Sequence, residues 1–286
     1  MGRVKLDAIM FDVDGTLTDT APRQHAWFQE WVHLKNERDG TDYKFPFKDF
    51  NEWLEAYNDD LHSCPADMFG DGIQRHYDRL GPKADVKGDK TKSEVWIEYN
   101  RYKAEHPSGL IDGVKEMIED IFMIGSLDSD PSVPTRLRMG INTTNSYIPS
   151  VHYDLKKAKI LQYFDTQIGA EMLELYHGAA NGHAIKKPSK LSVEMCLGRL
   201  GTRGERTIHV GDTLNDLSAS KGIVRNMYSP HDKEDIITVG ALWGYEPKEK
   251  LMEGVILADG THVHFDHLAS EPQEIVWLVK KYRGVK

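Results

Sequence analysis

The sequence predicts an α/β fold in which a parallel sheet is doubly wound by helices and interrupted by an inserted helical segment. Three observations lead to this prediction. An apolar run of strand length and strand composition covers residues 6–11, and an aromatic-rich helical stretch follows it. From Ile111 onward, segments with strand and helix patterns alternate, which is typical of parallel sheets. The chain has 286 residues, so one large or two modest domains are expected.

The helical segment begins after Thr20, where the apolar residues change to a spacing of three to four. Its Trp and Tyr side chains are interpreted as core residues. We expect residues 20–105 to form this separate helical module, inserted into an α/β domain made of residues 1–19 and 106–286. The predicted helical stretches cover 27–34, 50–61, 68–80 and 93–104.

In the α/β part, predicted helices and strands alternate along the chain. Together these segments predict a Rossmann-like, doubly wound sheet, in which ligands bind beyond the carboxyl ends of the strands. A Pro-, Ser- and Asp-rich exposed loop is expected over 125–134, and a hairpin around residues 259–260. The predicted helices are 113–122, 153–163 and 191–200, and the predicted strands after the first are 137–142, 167–170, 207–210 and 236–243.

Composition and charge exclude several classes of partner. A net charge of -9 argues against nucleic-acid binding, which needs clustered Lys and Arg. No apolar run approaches the roughly 20 residues that span a bilayer, and the N-terminus lacks a signal-peptide pattern, so a cytoplasmic location without membrane attachment is expected. The two cysteines, Cys64 and Cys196, are expected to be reduced thiols. The sequence makes no prediction about oligomeric state.

The most informative residues are Asp12 and Asp14, which follow the first strand at a turn containing Gly15. Residues two apart in a strand share a face, so the two carboxylates project together unless the turn bends the second one away. Crowded carboxylates repel each other, and a divalent cation is the usual way to offset that repulsion. A lone Asp-Gly pair would more simply be a turn, but the longer string Phe-Asp-Val-Asp-Gly-Thr is more specific.

Hydroxyl groups follow the strand predicted over 137–142. Thr143, Thr144 and Asn145 come directly after it. A hydroxyl beside backbone amides that open a helix suits a phosphate oxygen, although Thr and Asn also serve as ordinary helix N-caps. The two threonines are therefore candidates for a phosphate site.

Charged residues also mark two further positions along the α/β part. Lys186 and Lys187 precede a proline and a predicted helix, where two solvated lysines are the simpler interpretation. The strand 207–210 runs into Gly-Asp-Thr-Leu-Asn-Asp, which places Asp212 and Asp216 one helical turn apart on the same side. Each motif alone is weak, but all of them fall at strand or helix ends.

The motifs occur in an order that resembles the haloacid dehalogenase superfamily of phosphohydrolases. That family shows Asp-x-Asp-Gly-Thr, then a strand-ending Thr or Ser, then Lys-Pro, then Gly-Asp-x-x-x-Asp, and this chain has all four. The resemblance covers essentially the whole α/β part. The helical insertion resembles the cap of phosphoglycolate-phosphatase-like members by position more than by motif.

The resemblance implies roles for individual residues. Asp12 would be the nucleophile that forms an aspartyl-phosphate, and Asp14 the general acid and then base. Thr143 and Lys187 would act on the phosphoryl group as catalytic and phosphate-binding residues. Thr144 fits the family's Thr-Asn pair as well as Thr143 does, because Asn142 interrupts the apolar strand before it. Both threonines therefore stay candidates for the phosphate-binding hydroxyl.

The same resemblance implies Mg²⁺ as the cofactor. Its ligands would be Asp12, the backbone carbonyl of Asp14, and Asp212, while Asp216 would bind the metal directly or orient its water. Mg²⁺ prefers octahedral oxygen coordination with several retained waters, which suits this set. The expected partner is a small phosphorylated substrate, and the residues that select it are not predicted.

Other functions remain open at this stage. The main hypothesis is a phosphomonoester hydrolase, and its closest alternative is a phosphomutase similar to β-phosphoglucomutase. Dehalogenation is disfavoured because Asp14 supplies a proton that a halide leaving group does not need. A non-catalytic binding protein is disfavoured because the motif residues are intact. A phosphonatase would need a lysine from the helical module to form a Schiff base, for which Lys35, Lys44 and Lys48 are available.

A second metal-like string, His-x-His-x-Asp-His, covers residues 262–267. It matches the pattern that metallo-β-lactamase-like hydrolases use for two metals. The preceding Asp-Gly turn and the alternation of polar and apolar residues favour a half-buried hairpin strand instead. We therefore expect no metal at this string.

Overall fold

The computed structural model describes residues 6–42, 44–45, 47–59, 101–126, 136–145, 151–177, 185–226, 229–233 and 235–285. The chain divides into two compact units, Met1–Thr18 with Gly109–Lys286, and Asp19–Ser108. Some predictions lie outside the described residues. These are the helix at 68–80, most of the helix at 93–104, most of the loop at 125–134, and Cys64.

The first unit is built on a parallel sheet whose described strands follow the order β10-β7-β4-β1-β2-β3. Two short antiparallel pairs, β5 with β6 and β8 with β9, lie outside this sheet. The strands are β1 (Ala8–Phe11), β2 (Arg138–Asn142), β3 (Thr166–Ile168), β4 (Thr207–Gly211), β5 (Val224–Asn226), β6 (Ser229–Lys233), β7 (Ile237–Ala241), β8 (Val255–Ile256), β9 (His262–Val263) and β10 (His267–Ala269).

Helices cover both faces of this sheet. The helices of the first unit are α3 (Val114–Ser126), α4 (His152–Lys157), α5 (Ala170–His177), α6 (Leu191–Leu200), α7 (Leu214–Lys221), α8 (Lys248–Glu253) and α9 (Pro272–Arg283). Ile9 and Phe11 of β1 face one apolar core with residues of α3 and α9. Ala8 and Met10 face a second core with residues of α6. The predicted doubly wound α/β fold is thus confirmed.

Several element bounds differ from the sequence prediction. The helix predicted over 153–163 ends at Lys157, because Lys159 adopts a left-handed conformation with φ 60°, and a short 3-10 turn, Leu161–Tyr163, follows. The strand predicted over 167–170 is Thr166–Ile168. The β5–β6 pair was not predicted, since its residues are mostly polar and show no alternation of apolar side chains.

The second unit contains α1 (Ala21–Asp39), α2 (Phe50–Asp59) and a helical stretch at 101–105. A proline in the first turn starts α1, and Gly40, in the left-handed conformation with φ 65°, ends it. Trp27, Trp31 and Trp53 are all buried. The prediction that the described tryptophans of this segment belong to the core is confirmed.

Candidate active site

The site lies at the carboxyl edge of the sheet, where neighbouring parallel strands end together. Phe11, the last residue of β1, is level with Ile141 of β2 on one side and Val210 of β4 on the other. The residues that follow these strands therefore meet at one edge. Asp12 follows β1, Thr143 follows β2, and Asp212 follows β4.

Three carboxylates and one ammonium form the centre of the site. Asp12, Asp212 and Asp216 are buried and offer ligand oxygens that lie within 4.8 Å of one another. The Nζ atom of Lys187 lies 2.7 Å from Oδ1 of Asp12 and 2.5 Å from Oδ1 of Asp216. The same Nζ donates to the backbone carbonyl of Asn142 at 3.0 Å. Lys187 is thus a buried ion-pair partner, and the interpretation as a solvated loop lysine is wrong.

Asp212 is held by the turn after β1 and the loop after β7. The hydroxyl of Thr16 donates to Oδ1 of Asp212 at 2.9 Å, and the backbone N–H of Tyr245 donates to Oδ2 at 2.9 Å. The indole N–H of Trp243 donates to the carbonyl of Thr16 at 3.1 Å, which ties the loop to the turn. These contacts fix the carboxylate in one orientation.

Two glycines make room for Asp212. A Cβ on Gly15 would overlap the carboxylate of Asp212 and lie 2.9 Å from Cδ2 of Tyr245, and Gly15 also has a φ of 80°. A Cβ on Gly244 would overlap Cβ of Asp212 and lie 2.5 Å from its Oδ2. The backbone at both positions approaches the carboxylate more closely than any side chain would permit.

Asp216 belongs to the first turn of α7 and is engaged on both oxygens. Besides the contact of Oδ1 with Lys187, Oδ2 accepts from the hydroxyl of Thr213 at 2.7 Å and from its N–H at 3.3 Å. The second of these bonds belongs to a capping box, in which the side chain of Thr213 also accepts from the backbone N–H of Asp216. His209 of β4 lies behind it, with Nε2 3.9 Å from Oδ1 of Asp216 and Nδ1 2.6 Å from Oγ of Ser220. This arrangement orients Asp216 toward Lys187.

Burial and neighbouring charges raise the pKa of two of the three carboxylates and lower the pKa of the third. Burial raises the pKa of Asp12 to about 7, against the lowering effect of Lys187. Burial also raises the pKa of Asp212 well above its usual value, and Asp12 adds to that effect. Burial alone would raise the pKa of Asp216, but Lys187 lowers it below its usual value. The ammonium therefore compensates Asp216 best and leaves Asp12 and Asp212 in need of more positive charge.

Mg²⁺ fits this group of residues. Three buried carboxylates face one ammonium, so the site carries excess negative charge, and its donors are the hard oxygens that Mg²⁺ prefers. The carboxylate of Asp14 is not part of this group, which leaves only its backbone carbonyl as the predicted ligand. Asp12 and Asp212 are the members whose ionisation a divalent cation would favour most.

Asp14 is held by Asn145, a residue to which the sequence analysis assigned no role. The side-chain Nδ2 of Asn145 donates to Oδ2 of Asp14 at 2.8 Å. The hydroxyl of Thr143, which is buried, accepts from the backbone N–H of Asn145 at 3.1 Å. Thr144 is exposed. Of the two candidate hydroxyls, Thr143 is the one built into the edge of the sheet.

The His-x-His-x-Asp-His string has structural contacts instead of a metal-like cluster. Nε2 of His262 and Nδ1 of His264 lie 2.8 and 3.2 Å from the carbonyls of Glu253 and Met252, the last two residues of α8. These rings therefore cap the end of a helix. Within the part of the chain that the structure describes, the group able to hold a metal is Asp12, Asp212 and Asp216.

Some residues of the site could not be found from the sequence. Thr16 belongs to the Asp-x-Asp-Gly-Thr motif, but its hydrogen-bond partner, Asp212, lies 196 positions away in the sequence. Tyr245 reaches Asp212 through its backbone N–H, so its side-chain type carries no signal for this contact. His209 interrupts an otherwise apolar strand, which is the one signal that could have indicated a buried polar contact.

His209 is expected to make the protein less stable in acid. Burial lowers its pKa to about 4, so as the pH falls through 6.5 toward 4 the unfolded state takes up a proton that the folded state does not. Its contribution is fully present above pH 6.5, and about 2 kcal/mol of it is lost by pH 5. Urea unfolding at pH 7.5 and pH 5 should show a smaller acid loss in His209→Met than in the wild type.

The control for this measurement is His33→Gln, which changes an exposed histidine of α1. This variant should keep the acid sensitivity of the wild type. The opposing effect of Asp12 is common to all three proteins and cancels in the comparison. An equal acid loss in His209→Met and the wild type would contradict the prediction.

The fold and the motifs at the strand ends are those of a class of hydrolases. A comparison of the sequence with family models gives the same class. Residues 6–223 match the model of the haloacid dehalogenase-like hydrolases. The chain belongs to this family. No curated protein matches the chain by sequence. Among the described residues, no helix is both long and apolar enough to cross a bilayer.

Solved structures share the fold along nearly the whole chain. A predicted phosphoglycolate phosphatase from Haemophilus somnus 129PT is 19% identical, with 97% of this chain and 99% of that chain covered and a TM-score of 0.58. CbbY from Rhodobacter sphaeroides, in complex with xylulose-1,5-bisphosphate, is 22% identical over 94% and 96%, with a TM-score of 0.53. YfnB from Bacillus subtilis, bound to magnesium, is 13% identical over 96% and 99%, with a TM-score of 0.56.

Proposed function

We propose that this chain is a Mg²⁺-dependent phosphatase that hydrolyses a small phosphomonoester through an aspartyl-phosphate intermediate. The observation that carries the proposal is the environment of Asp12. Its carboxylate is buried, ion-paired to Lys187 at 2.7 Å, and followed two residues later by a second carboxyl group, Asp14. A fixed carboxylate beside a cation is suited to attack phosphorus, and a nearby second carboxyl is suited to move the proton.

In the first step an oxygen of Asp12 attacks the phosphorus atom of the ester. The new bond joins that oxygen to phosphorus, and the bond from phosphorus to the ester oxygen breaks. Asp14 gives its proton to the departing oxygen, so the product leaves as an alcohol. Lys187 holds Asp12 in place and compensates negative charge on the phosphoryl oxygens.

In the second step Asp14, now a carboxylate, takes a proton from water as that water attacks phosphorus. The bond between Asp12 and phosphorus breaks, which releases inorganic phosphate and restores both carboxyl groups. Thr143 would donate its hydroxyl to a phosphoryl oxygen. Mg²⁺ would be held by Asp12, Asp212 and the carbonyl of Asp14, with Asp216 supporting it, and would supply positive charge to the phosphoryl oxygens.

The relatives support a small phosphorylated substrate. One is solved with a sugar bisphosphate and another is described as a phosphoglycolate phosphatase. We propose that the helical unit, Asp19–Ser108, is a cap that selects the substrate. The net charge of -9 and the absence of a membrane-spanning helix from the described residues agree with a small-molecule partner.

Phosphate release from a panel of phosphomonoesters tests the proposal. We expect the wild type with Mg²⁺ to hydrolyse at least one of them and to stop when the metal is chelated. Asp12→Asn should lose about 10⁴-fold or more in kcat, as removal of a nucleophile does in other hydrolases. The control is Asp235→Asn, which changes an exposed carboxylate 3.4 Å from Lys221 and should retain turnover.

Two outcomes would contradict the proposal. One is a wild-type protein that releases no phosphate from the whole panel, and the other is full turnover by Asp12→Asn. Phosphorus NMR of the products separates hydrolysis from phosphoryl transfer within one substrate, because only hydrolysis yields inorganic phosphate as the end product. A mutase would return the phosphoryl group to the same sugar at another position.

A further inference from the structure

Hydrogen bonds of its backbone N–H, its carbonyl and its side chain hold Asn145 at the carboxyl edge of the sheet. Its backbone N–H donates to the hydroxyl of Thr143 at 3.1 Å, and its carbonyl accepts from the N–H of Ala170, at the start of α5, at 3.0 Å. The side chain then reaches across to Asp14, with 2.8 Å between Nδ2 and Oδ2. The donor that meets Asp14 is therefore fixed by the strand end of β2 and the start of α5.

The acceptor is fixed as well. Asp14 lies in the turn between β1 and α1, where Thr18 and Leu17 donate their backbone N–H groups to the carbonyl of Val13 at 2.9 and 2.8 Å. Gly15 closes the turn with a bond to the carbonyl of Thr18 at 2.9 Å. Since both backbones are fixed, the 2.8 Å contact is the feature that sets the rotation of the Asp14 carboxyl group.

We propose that Asn145 is a positioning residue that determines which oxygen of Asp14 carries the proton delivered to the leaving group. This inference rests on the proposed phosphatase function and deepens it. An amide Nδ2 carries two hydrogens and has no acceptor capacity, so it can face only a lone pair. Oδ2 is therefore occupied as the acceptor of this bond, which leaves Oδ1 as the oxygen that exchanges the proton.

This choice of oxygen matters in both steps of the reaction. In the first step the Oδ1–H bond breaks, and the proton moves to the ester oxygen as its bond to phosphorus breaks. In the second step Oδ1 takes a proton from the attacking water. Throughout, Oδ2 keeps its bond from Asn145, so the carboxyl group does not have to rotate between the two proton transfers.

The dependence on the leaving group separates this role from a merely structural one. Phenyl phosphate releases a phenol with a pKa of about 10, so its departure needs a proton. The leaving group of 2,4-dinitrophenyl phosphate is a stable anion that departs without one. Loss of proton positioning should therefore slow the first ester and leave the second almost unchanged, whereas damage to the fold or the metal site would slow both equally.

The experiment compares kcat and KM for both esters in the wild type, Asn145→Ala and Asn145→Leu. Leucine keeps the volume of the side chain without its donor. We expect kcat for phenyl phosphate to fall about 30-fold in both variants, less than the roughly 10²- to 10⁴-fold of general acid catalysis as a whole, because Asp14 itself remains. For the dinitrophenyl ester the fall should be less than about 3-fold, and KM should change little for either ester. The control, Gln162→Ala, removes an exposed amide that donates to the carbonyl of Lys159, and should match the wild type.

The outcomes are distinguishable. Equal losses on the two esters, or no loss on phenyl phosphate, would overturn the role of Asn145 and leave the proposed phosphatase function intact. A wild-type protein that releases no phosphate from either ester would overturn both. A selective loss on phenyl phosphate in both Asn145 variants, with an unchanged thermal midpoint, would support the inference.

Discussion

Replacing Lys187 with methionine is expected to abolish phosphate release and to lower the free energy of unfolding by about 4 kcal/mol. Its ammonium lies 2.7 Å from Asp12 and 2.5 Å from Asp216, and all three side chains are buried. Removing one partner from a buried ion pair leaves uncompensated charge, which costs about 3 to 5 kcal/mol. That is a large part of the total stability of a typical domain.

Lys190→Met is the matched control for this loss. Lys190 lies three residues further on and pairs with Glu194 at 3.2 Å on the surface of α6. A half-buried pair four residues apart on a helix contributes about 0.3 to 0.5 kcal/mol. Urea unfolding and phosphate release should be measured for both variants. A stability loss in Lys187→Met no larger than that in Lys190→Met would show that the buried ammonium is not needed to balance the carboxylates.

Replacing Gly244 with alanine is expected to weaken Mg²⁺ binding and lower kcat/KM about 100-fold. The new Cβ would overlap Cβ of Asp212, and the carboxylate must then leave its present position at the site. The φ of Gly244 lies outside the left-handed region, so alanine fits the backbone and the damage comes from the contact alone. Overpacking of this kind costs about 1 to 3 kcal/mol, and displacement of a group at the reaction centre can cost about 10²-fold in rate.

The rise in thermal midpoint on adding Mg²⁺ measures the binding part of this prediction without any substrate. We expect that rise in the wild type and a much smaller one in Gly244→Ala. Gly198→Ala serves as the control, because a Cβ there meets nothing within 4 Å and the position is an exposed one in α6. It should gain about 0.5 to 1 kcal/mol and keep the full response to Mg²⁺. A full response in Gly244→Ala would contradict the prediction.

The sequence was sufficient for the central strands of the sheet and for the order of the motifs, although the edge strand β10 was not predicted. The apolar runs of β1, β2 and β4 end where Asp12, Thr143 and Asp212 begin, and parallel strands bring their carboxyl ends to one edge. The convergence of these residues therefore follows from strand assignment alone. Lys187 needed the family pattern, because an isolated lysine before a proline gives no sign that it is buried.

The contacts that orient the carboxylates were beyond sequence reasoning. Asn145 reaches Asp14 across 131 positions, and Tyr245 reaches Asp212 through its backbone N–H. Neither contact leaves a periodic or compositional signal, since each depends on the geometry of a loop. The left-handed Lys159, which ends a predicted helix early, is of the same kind, because lysine favours continuation of the helix.

The loop after β7 and the turn after β1 cannot vary independently of each other. Trp243 donates to the carbonyl of Thr16, Gly244 touches Asp212, and Tyr245 donates to Asp212 and packs against the position of Gly15. An insertion of even one residue in this loop would shift all these contacts together. Anyone who exchanges loops to change the specificity of this protein should therefore transplant the two segments as one unit, or leave both untouched.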